Sequence, residues 1–361
     1  MTMASEAAAV HSPSLEVPAS NKVVTVRIID TGNRATVPTG YFMEPHIEGH
    51  EIMKSPQFSF LVEHSSGKKI LFDLATRKDP ENFSPVIRQS MAAGGLAFEG
   101  DKDVVDILEE NGIKREEIEE VVWSHWHLDH VGDMSRFPSS TKLVVGPGFT
   151  NALVPGYPAN EYSPILESDY KDRPLIELDF KGKNALKFGS FDALDWFGDG
   201  SFYILDAPGH TVGHICALAR TTPDTFIFMG GDTCHHCGEF RPSRYVPLPE
   251  VVTPSPYSTP PFAPGSECPG ALIMNIHPHK SSTKPFYTQK AKEDLMQDYP
   301  KLLESADKMS SFDGDEHVLV LIAHDATVLD TLEFFPKHAN NWKEHGWKSA
   351  VRWTFLQDFK L

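Results

Sequence analysis

Three histidines and an aspartate crowd into Ser124-His125-Trp126-His127-Leu128-Asp129-His130, directly after the apolar run Val121-Val122-Trp123. Imidazole nitrogen and carboxylate oxygen are the donors that suit zinc and other borderline divalent ions. With the 17 His of this chain, a chance H-x-H-x-D-H arises on the order of once in several hundred chains of its length. In a turning loop, alternate residues can face one ion while the next pair faces a second. Four side chains cannot saturate two ions. The remaining ligands must come from other strand ends, so the chain has to fold with several apolar strands finishing at one place.

Three later segments have the required form. Asp206-Ala207-Pro208-Gly209-His210-Thr211-Val212-Gly213-His214 follows an expected strand at Ser201–Leu205. Gly230-Gly231-Asp232 follows Thr225–Met229, and Ala323-His324-Asp325 follows His317–Ile322. Each is an apolar strand, then a small residue, then a ligand-type side chain. Any one alone reads as a structural residue; three in order after the first motif reinforce one another.

The rest of the pattern is α/β. Lys22–Ile29 is β-branched and ends in the turn signal Asp30-Thr31-Gly32, and two strands around Ser65-Ser66-Gly67 form a candidate hairpin. Another strand is expected at Lys142–Val145, and Ile215–Ala219 adds one more. Ser84 and Pro85 suit the N-cap and first position of a helix. A second helix is expected over about Lys102–Asn111, stopped by Gly112. Helical pattern resumes from about Thr288 through Leu295, Tyr299, Leu302, Ala306 and Met309, with Pro300 kinking or restarting it.

Residues 1–21, rich in Ala, Ser and Pro, read as a disordered arm, and 22–361 as one layered domain. Residues 242–269 hold nine Pro together with Tyr245, Tyr257 and Phe262. That run is expected to be an ordered loop insert at about 240–270, walling a pocket with Tyr41, Phe42 and Met43.

Composition removes several function classes. Fifty Asp+Glu against 33 Lys+Arg give a formal charge of −17, which opposes nucleic acid as a partner. No uninterrupted 18-residue apolar stretch occurs, so no membrane span is expected. Met1–Asn21 lacks the basic and apolar regions of a secretory leader. Four Cys are too few for a disulfide scaffold, so a reducing, cytoplasmic setting is expected.

Taken in order, His125-x-His127-x-Asp129-His130, Pro208-Gly209-His210-Thr211-x-Gly213-His214, Gly231-Asp232 and Ala323-His324-Asp325 resemble the motifs of the metallo-β-lactamase superfamily, over about Val23 to Asp330. Asp129 and the final His-Asp pair most resemble quorum-quenching N-acyl-homoserine lactonases and related fungal lactonase and lactamase hydrolases. The resemblance implies an αββα sandwich: two mixed sheets back to back, helices on the outer faces, and a dinuclear metal site at one edge. It implies two zinc ions, with other divalent ions as options. His125, His127 and His210 would hold one; Asp129, His130 and His324 would hold the other; Asp232 would bridge both. The implied reaction is the opening of a small cyclic ester or amide, homoserine-lactone-like or benzoxazolinone-like, by a metal-bridging hydroxide. Asp129 would also shuttle a proton, and His214 falls outside the ligand pattern.

The pattern departs from the lactonases at one place. They resemble one another in a Tyr three residues after the bridging Asp, and here that position is His235, inside Cys234-His235-His236-Cys237. Imidazole gives up a proton near neutral pH more readily than phenol, which suits a harder leaving group such as a lactam nitrogen. His235 is therefore a candidate catalytic residue. The C-x-x-C could also be a zinc or redox pair, although no second C-x-x-C or thioredoxin-like context accompanies it. Two alternatives stay open: a thioesterase or glyoxalase II-like hydrolase, and a metal-binding protein without catalysis. The first lacks a clear basic cluster for a thiol carrier, and a decayed site should lose a ligand first. Ile276-His277-Pro278-His279 reads as a polar loop.

Overall fold

Alternation along the strands decides which side chains meet. In Val24–Asp30, Val24, Val26 and Ile28 join one buried cluster while Ile29 joins another. The computed structural model describes residues 10–94, 97–258, 262–263, 265–292 and 297–361. One six-stranded sheet runs in the order Val24–Asp30, Phe58–His64, Lys69–Phe72, Ile118–Val122, Lys142–Val145, Leu175–Glu177. Its first two pairings are antiparallel and the rest parallel. The second sheet runs Ala185–Phe188, Phe191–Asp195, Phe202–Asp206, Ile215–Thr222, Thr225–Met229, Val318–Leu321, antiparallel until a parallel last pair.

The sheets pack face to face. Val26, Phe60, Phe72 and Val122 of the first meet Ile204, Ala217, Ile227 and Leu319 of the second in one buried cluster. On the outer face of the first sheet, Leu61, Leu71 and Leu143 pack with Val105 and Leu108 of the helix Val104–Glu110. On the outer face of the second, Leu218, Phe228 and Val320 pack with Met309 and Phe312 of the helix Tyr299–Asp313. This is an αββα sandwich of two mixed sheets.

Several local expectations agree with the structure. The hairpin pairs Phe60 with Phe72, and a helix occupies Pro85–Gly94. Asp103 caps Val104–Glu110 through a reciprocal bond with Asp106. Others need correction. Thr288–Gln289 is a two-residue strand paired with Met43–Glu44, and the helix begins only at Tyr299, with Asp298 as its cap and Pro300 in its first turn. Leu295 lies outside the described residues.

Residues 10–21 are held against the body where a disordered arm was expected. Leu15 is buried, the amide of Gly189 donates to its carbonyl, and the Arg220 guanidinium donates to the carbonyl of Pro18. One apolar anchor inside a Ser- and Pro-rich stretch was enough. Residues 1–9 lie outside the described part.

The Pro-rich segment is ordered where it is described. Val251–Val252 pairs with Cys268–Pro269, and Leu248, Val252 and Tyr257 join the cluster on the outer face of the second sheet. A third, three-stranded sheet was not anticipated from the sequence: Ile52–Ser55, Arg34–Pro38 and Ala97–Glu99, in that order. Among the described residues, no helix is long and apolar enough to cross a membrane.

Candidate metal centre

Parallel pairing places the carboxyl ends of Lys69–Phe72 and Ile118–Val122 together, and likewise those of Thr225–Met229 and Val318–Leu321. The loops that leave these ends, with the loop after Phe202–Asp206, converge at one edge of the sandwich. Two groups of ligand-type side chains result: His125, His127, His210 and Asp232, and beside them Asp129, His130 and His324. Asp232 lies between the groups. Its Oδ2 is 3.7 Å from His125 Nε2 and 3.5 Å from His210 Nε2, while its Oδ1 is 3.1 Å from both His130 Nε2 and His324 Nε2. All seven side chains singled out in the sequence are thus gathered in one place.

The tautomers follow from the second partner of each ring. The Ser124 hydroxyl donates its one proton to Asp73 Oδ2 at 2.7 Å, so its oxygen accepts from His125 Nδ1 at 3.0 Å. His130 Nδ1 donates to Asp73 Oδ2 at 2.8 Å, and His324 Nδ1 donates to the carbonyl of Pro56 at 2.9 Å. Each of these rings therefore turns Nε2 to the centre. His125 Nε2, His130 Nε2 and Asp232 Oδ1 are buried without a hydrogen-bond partner. Orphaned buried donors aimed at a common point fit a divalent metal.

His214 plays a different part. The amide of Asp232 donates to His214 Nε2 at 3.0 Å, and His214 Nδ1 donates to the carbonyl of Ala207 at 2.9 Å. Both nitrogens are used, so the ring braces the Asp232 backbone and has no lone pair for an ion. Gly231 makes this close approach possible: at φ +49° its added Cβ would stand 3.0 Å from His214 Nε2.

The charge balance suits ligation. Burial, with His130 and His127 as neighbours, drives His125 well below the ordinary histidine range. Burial also lowers His210 strongly and brings His127 to about 4. These rings are neutral, as lone-pair donors must be. Burial would raise Asp232, but His130 and His324 outweigh it and hold the carboxyl well below its ordinary value.

Asp73 was not anticipated from the sequence, although it has the same signature of a carboxylate just after an apolar strand. It is buried, sits at φ +62°, and also accepts the Ser124 amide at 2.6 Å. Asp and Asn both tolerate that backbone region, so Asp73→Asn should keep the turn. The substitution is expected to weaken metal affinity by about 10–100-fold, because it loosens the orientation of His130. Competition with a chromophoric chelator measures this, and an unchanged affinity would remove Asp73 from the site.

A third group, His50, His236 and Asp358, is also close enough to invite an ion. However, His236 Nδ1 accepts the Gly238 amide at 3.0 Å, so its Nε2 carries the proton and donates to Asp358 Oδ2 at 3.1 Å. That ring has no free lone pair, and the group ties down the C-terminal segment. His277 is buried, and its Nε2 meets the carbonyl of Lys284 at 2.7 Å.

A pocket of about 280 Å³ opens beside His127, Asp129 and His324. Its walls come from the unanticipated sheet (Val37, Met53, Phe98), from Ile87 of the first helix, and from Phe42 and Trp126. Tyr41 and Phe42 line it as expected, but Met43 is buried in the core and no described residue of the Pro-rich insert takes part. The insert's aromatics pack inward because the second sheet's outer face needs covering. The lining residues include no Lys or Arg. His235 is buried, stacks on Phe42 with centroids 4.2 Å apart, and has Nε2 3.4 Å from Asp232 Oδ2. Neither of its ring nitrogens has a hydrogen-bond partner.

With this geometry in place, three comparisons bear on it. A model of the metallo-beta-lactamase superfamily matches residues 53–230. A gamma-lactamase of Fusarium pseudograminearum is 42% identical over 355 residues, covering 96% of this chain and 85% of that one. A second gamma-lactamase, from Gibberella moniliformis, is 49% identical over 220 residues, 60% of this chain and 90% of that one. Among solved structures, AiiA of B. thuringiensis with N-decanoyl-L-homoserine bound at its active site superposes with a TM-score of 0.57 at 15% identity, over 88% of this chain and 99% of that one.

Proposed function

The chain belongs to the metallo-beta-lactamase superfamily, and from that premise we propose that it is a two-zinc hydrolase that opens a small cyclic ester or cyclic amide. It is a metal-dependent hydrolase of the gamma-lactamase type. The observation that carries the finer reading is the convergence of seven ligand-type side chains beside an apolar pocket. His125, His127 and His210 would hold one ion and Asp129, His130 and His324 the other, with Asp232 shared. When bound, such ions acidify a water and polarise a carbonyl.

The chain's own residues supply the remainder. Ser124 and Asp73 orient the rings of His125 and His130. The apolar walls exclude water and seat the uncharged part of the substrate ring. Asp129, 19% exposed at the pocket side, is positioned to carry a proton away as the ring opens. His235 presents a nitrogen without another partner, as a donor to the leaving oxygen or nitrogen. All four cysteines are free and buried, which supports the reducing, cytoplasmic setting and leaves Cys234 and Cys237 structural.

The pocket also weighs the alternatives. Carrier thioesters bring phosphates or carboxylates that call for Lys or Arg, and its lining has neither. A panel of neutral lactones, γ-lactams and anionic thioesters tests this: lactone or lactam turnover is expected, and turnover of thioesters alone would overturn it. Elemental analysis is expected to find about two zinc ions per chain. His235→Phe keeps the stack on Phe42 and removes the donor. It is expected to lower kcat by roughly 100-fold with little change in KM. His235→Tyr should restore part of the loss, and an unchanged kcat in the Phe variant would exclude His235 from catalysis.

A further inference from the structure

Behind the loop that carries Asp232 and His235 lies a second cleft, of about 450 Å³, which shares no lining residue with the pocket. Two of its lining side chains, Glu239 and Gln289, are only 6% and 3% exposed. Each spends part of its head group on the loop. Glu239 Oε1 accepts the amides of His235 at 2.9 Å and His236 at 3.0 Å, and Gln289 Nε2 donates to the carbonyl of Thr233. The other two acceptors, Glu239 Oε2 and Gln289 Oε1, are buried with no hydrogen-bond partner.

Buried acceptors left without donors are rare and costly. Burial pushes the Glu239 carboxyl up to about 8; Arg244, Lys284 and Asp307 also line the cleft. Phe240, Leu303 and Ala306 add apolar wall. We propose that this cleft is a second ligand site, taking a small organic amine whose N–H groups donate to Glu239 Oε2 and Gln289 Oε1. Occupancy adjusts the catalytic loop, because the same two side chains hold the backbone at Thr233, His235 and His236. A carboxylate has no N–H to offer these two acceptors. The amine released when a cyclic amide opens belongs to this class; that identification rests on the activity proposed above, whereas the site does not.

Calorimetric titration of the metal-loaded protein with n-butylamine, and with butyrate as control, tests the site without reference to turnover. Butylamine is expected to bind and butyrate not. Glu239→Gln should weaken binding by about tenfold or more while keeping the acceptor for the loop amides. Ala306→Phe, which fills the cleft from the helix Tyr299–Asp313, should abolish binding and leave hydrolysis without amine unchanged. Butylamine should shift KM in the wild type and not in Ala306→Phe. No binding to the wild type would overturn the proposal. So would equal binding to Ala306→Phe, which would place the amine at the metal residues instead.

Discussion

Asp232→Asn is expected to lower kcat/KM for ring opening by roughly 1,000-fold or more, and to reduce bound metal from about two ions per chain to one or none. Asp232 lies within reach of both groups of rings: one oxygen is 3.5 Å from His210 and the other 3.1 Å from His130 and His324. Its negative charge is buried, with a side-chain exposure of 3%, so removing it leaves cations in a low-dielectric site without their common counter-charge. The amide nitrogen of Asn is also a donor where ligands must be acceptors. Because the Asp232 backbone is braced by His214, the loop should keep its shape and the protein its fold. Thermal unfolding of the metal-stripped variant alongside the metal-stripped wild type separates a lost ligand from a lost fold. Full activity with two ions retained would end the two-metal reading.

The largest stability effect is expected far from the candidate metal ligands, at Arg241→Met. Arg241 and Asp313 are 2% and 1% exposed and form two parallel bonds, Nε to Oδ2 at 2.8 Å and Nη2 to Oδ1 at 2.6 Å. The pair joins the loop after Asp232 to the end of the helix Tyr299–Asp313, and the Arg241 guanidinium also lies over the Phe240 ring. Removing one partner strands a buried carboxylate, which costs about 3–5 kcal/mol. The double variant Arg241→Met with Asp313→Leu should recover much of that loss, because no charge is then left unpaired. Urea unfolding of the three proteins decides it, and a single variant as stable as wild type would show the pair to be dispensable.

The same pair predicts a pH dependence. Burial would raise Asp313, but the Arg241 charge and its hydrogen bonds outweigh it and hold the carboxyl at about 2, below its ordinary 3.8. A depressed folded value means that the stabilisation is fully present above pH 3.8 and is lost as pH falls through about 2. Arg241→Met should flatten the acid limb of the stability curve in that window.

The cluster from His125 to His130, and the small residues before His210, Asp232 and His324, were legible because each is a local pattern: an apolar strand followed by a ligand at its end. Strand polarity then made one shared edge nearly unavoidable. Asp73 carries the same local signature, yet nothing local separates it from an ordinary turn aspartate. Only its approach to Ser124 and His130, 51 and 57 residues away, reveals its work.

The insert shows the opposite failure. Tyr257 and Val252 have the composition of a pocket wall, but the uncovered outer face of the second sheet takes them up. The wall beside the metal residues is built instead by Arg34–Pro38, Ile52–Ser55 and Ala97–Glu99, whose pairing depends on contacts across tens of residues. The sequence by itself determined the ligand-type side chains, the strand ends that bear them and the layered α/β class, because these rest on residue type and short-range period. Tertiary structure decided which apolar strands line the pocket, which histidines have lone pairs to give, and where Glu239 and Gln289 keep unpaired acceptors. Those depend on what packs against what, and packing is settled only when the whole chain has folded.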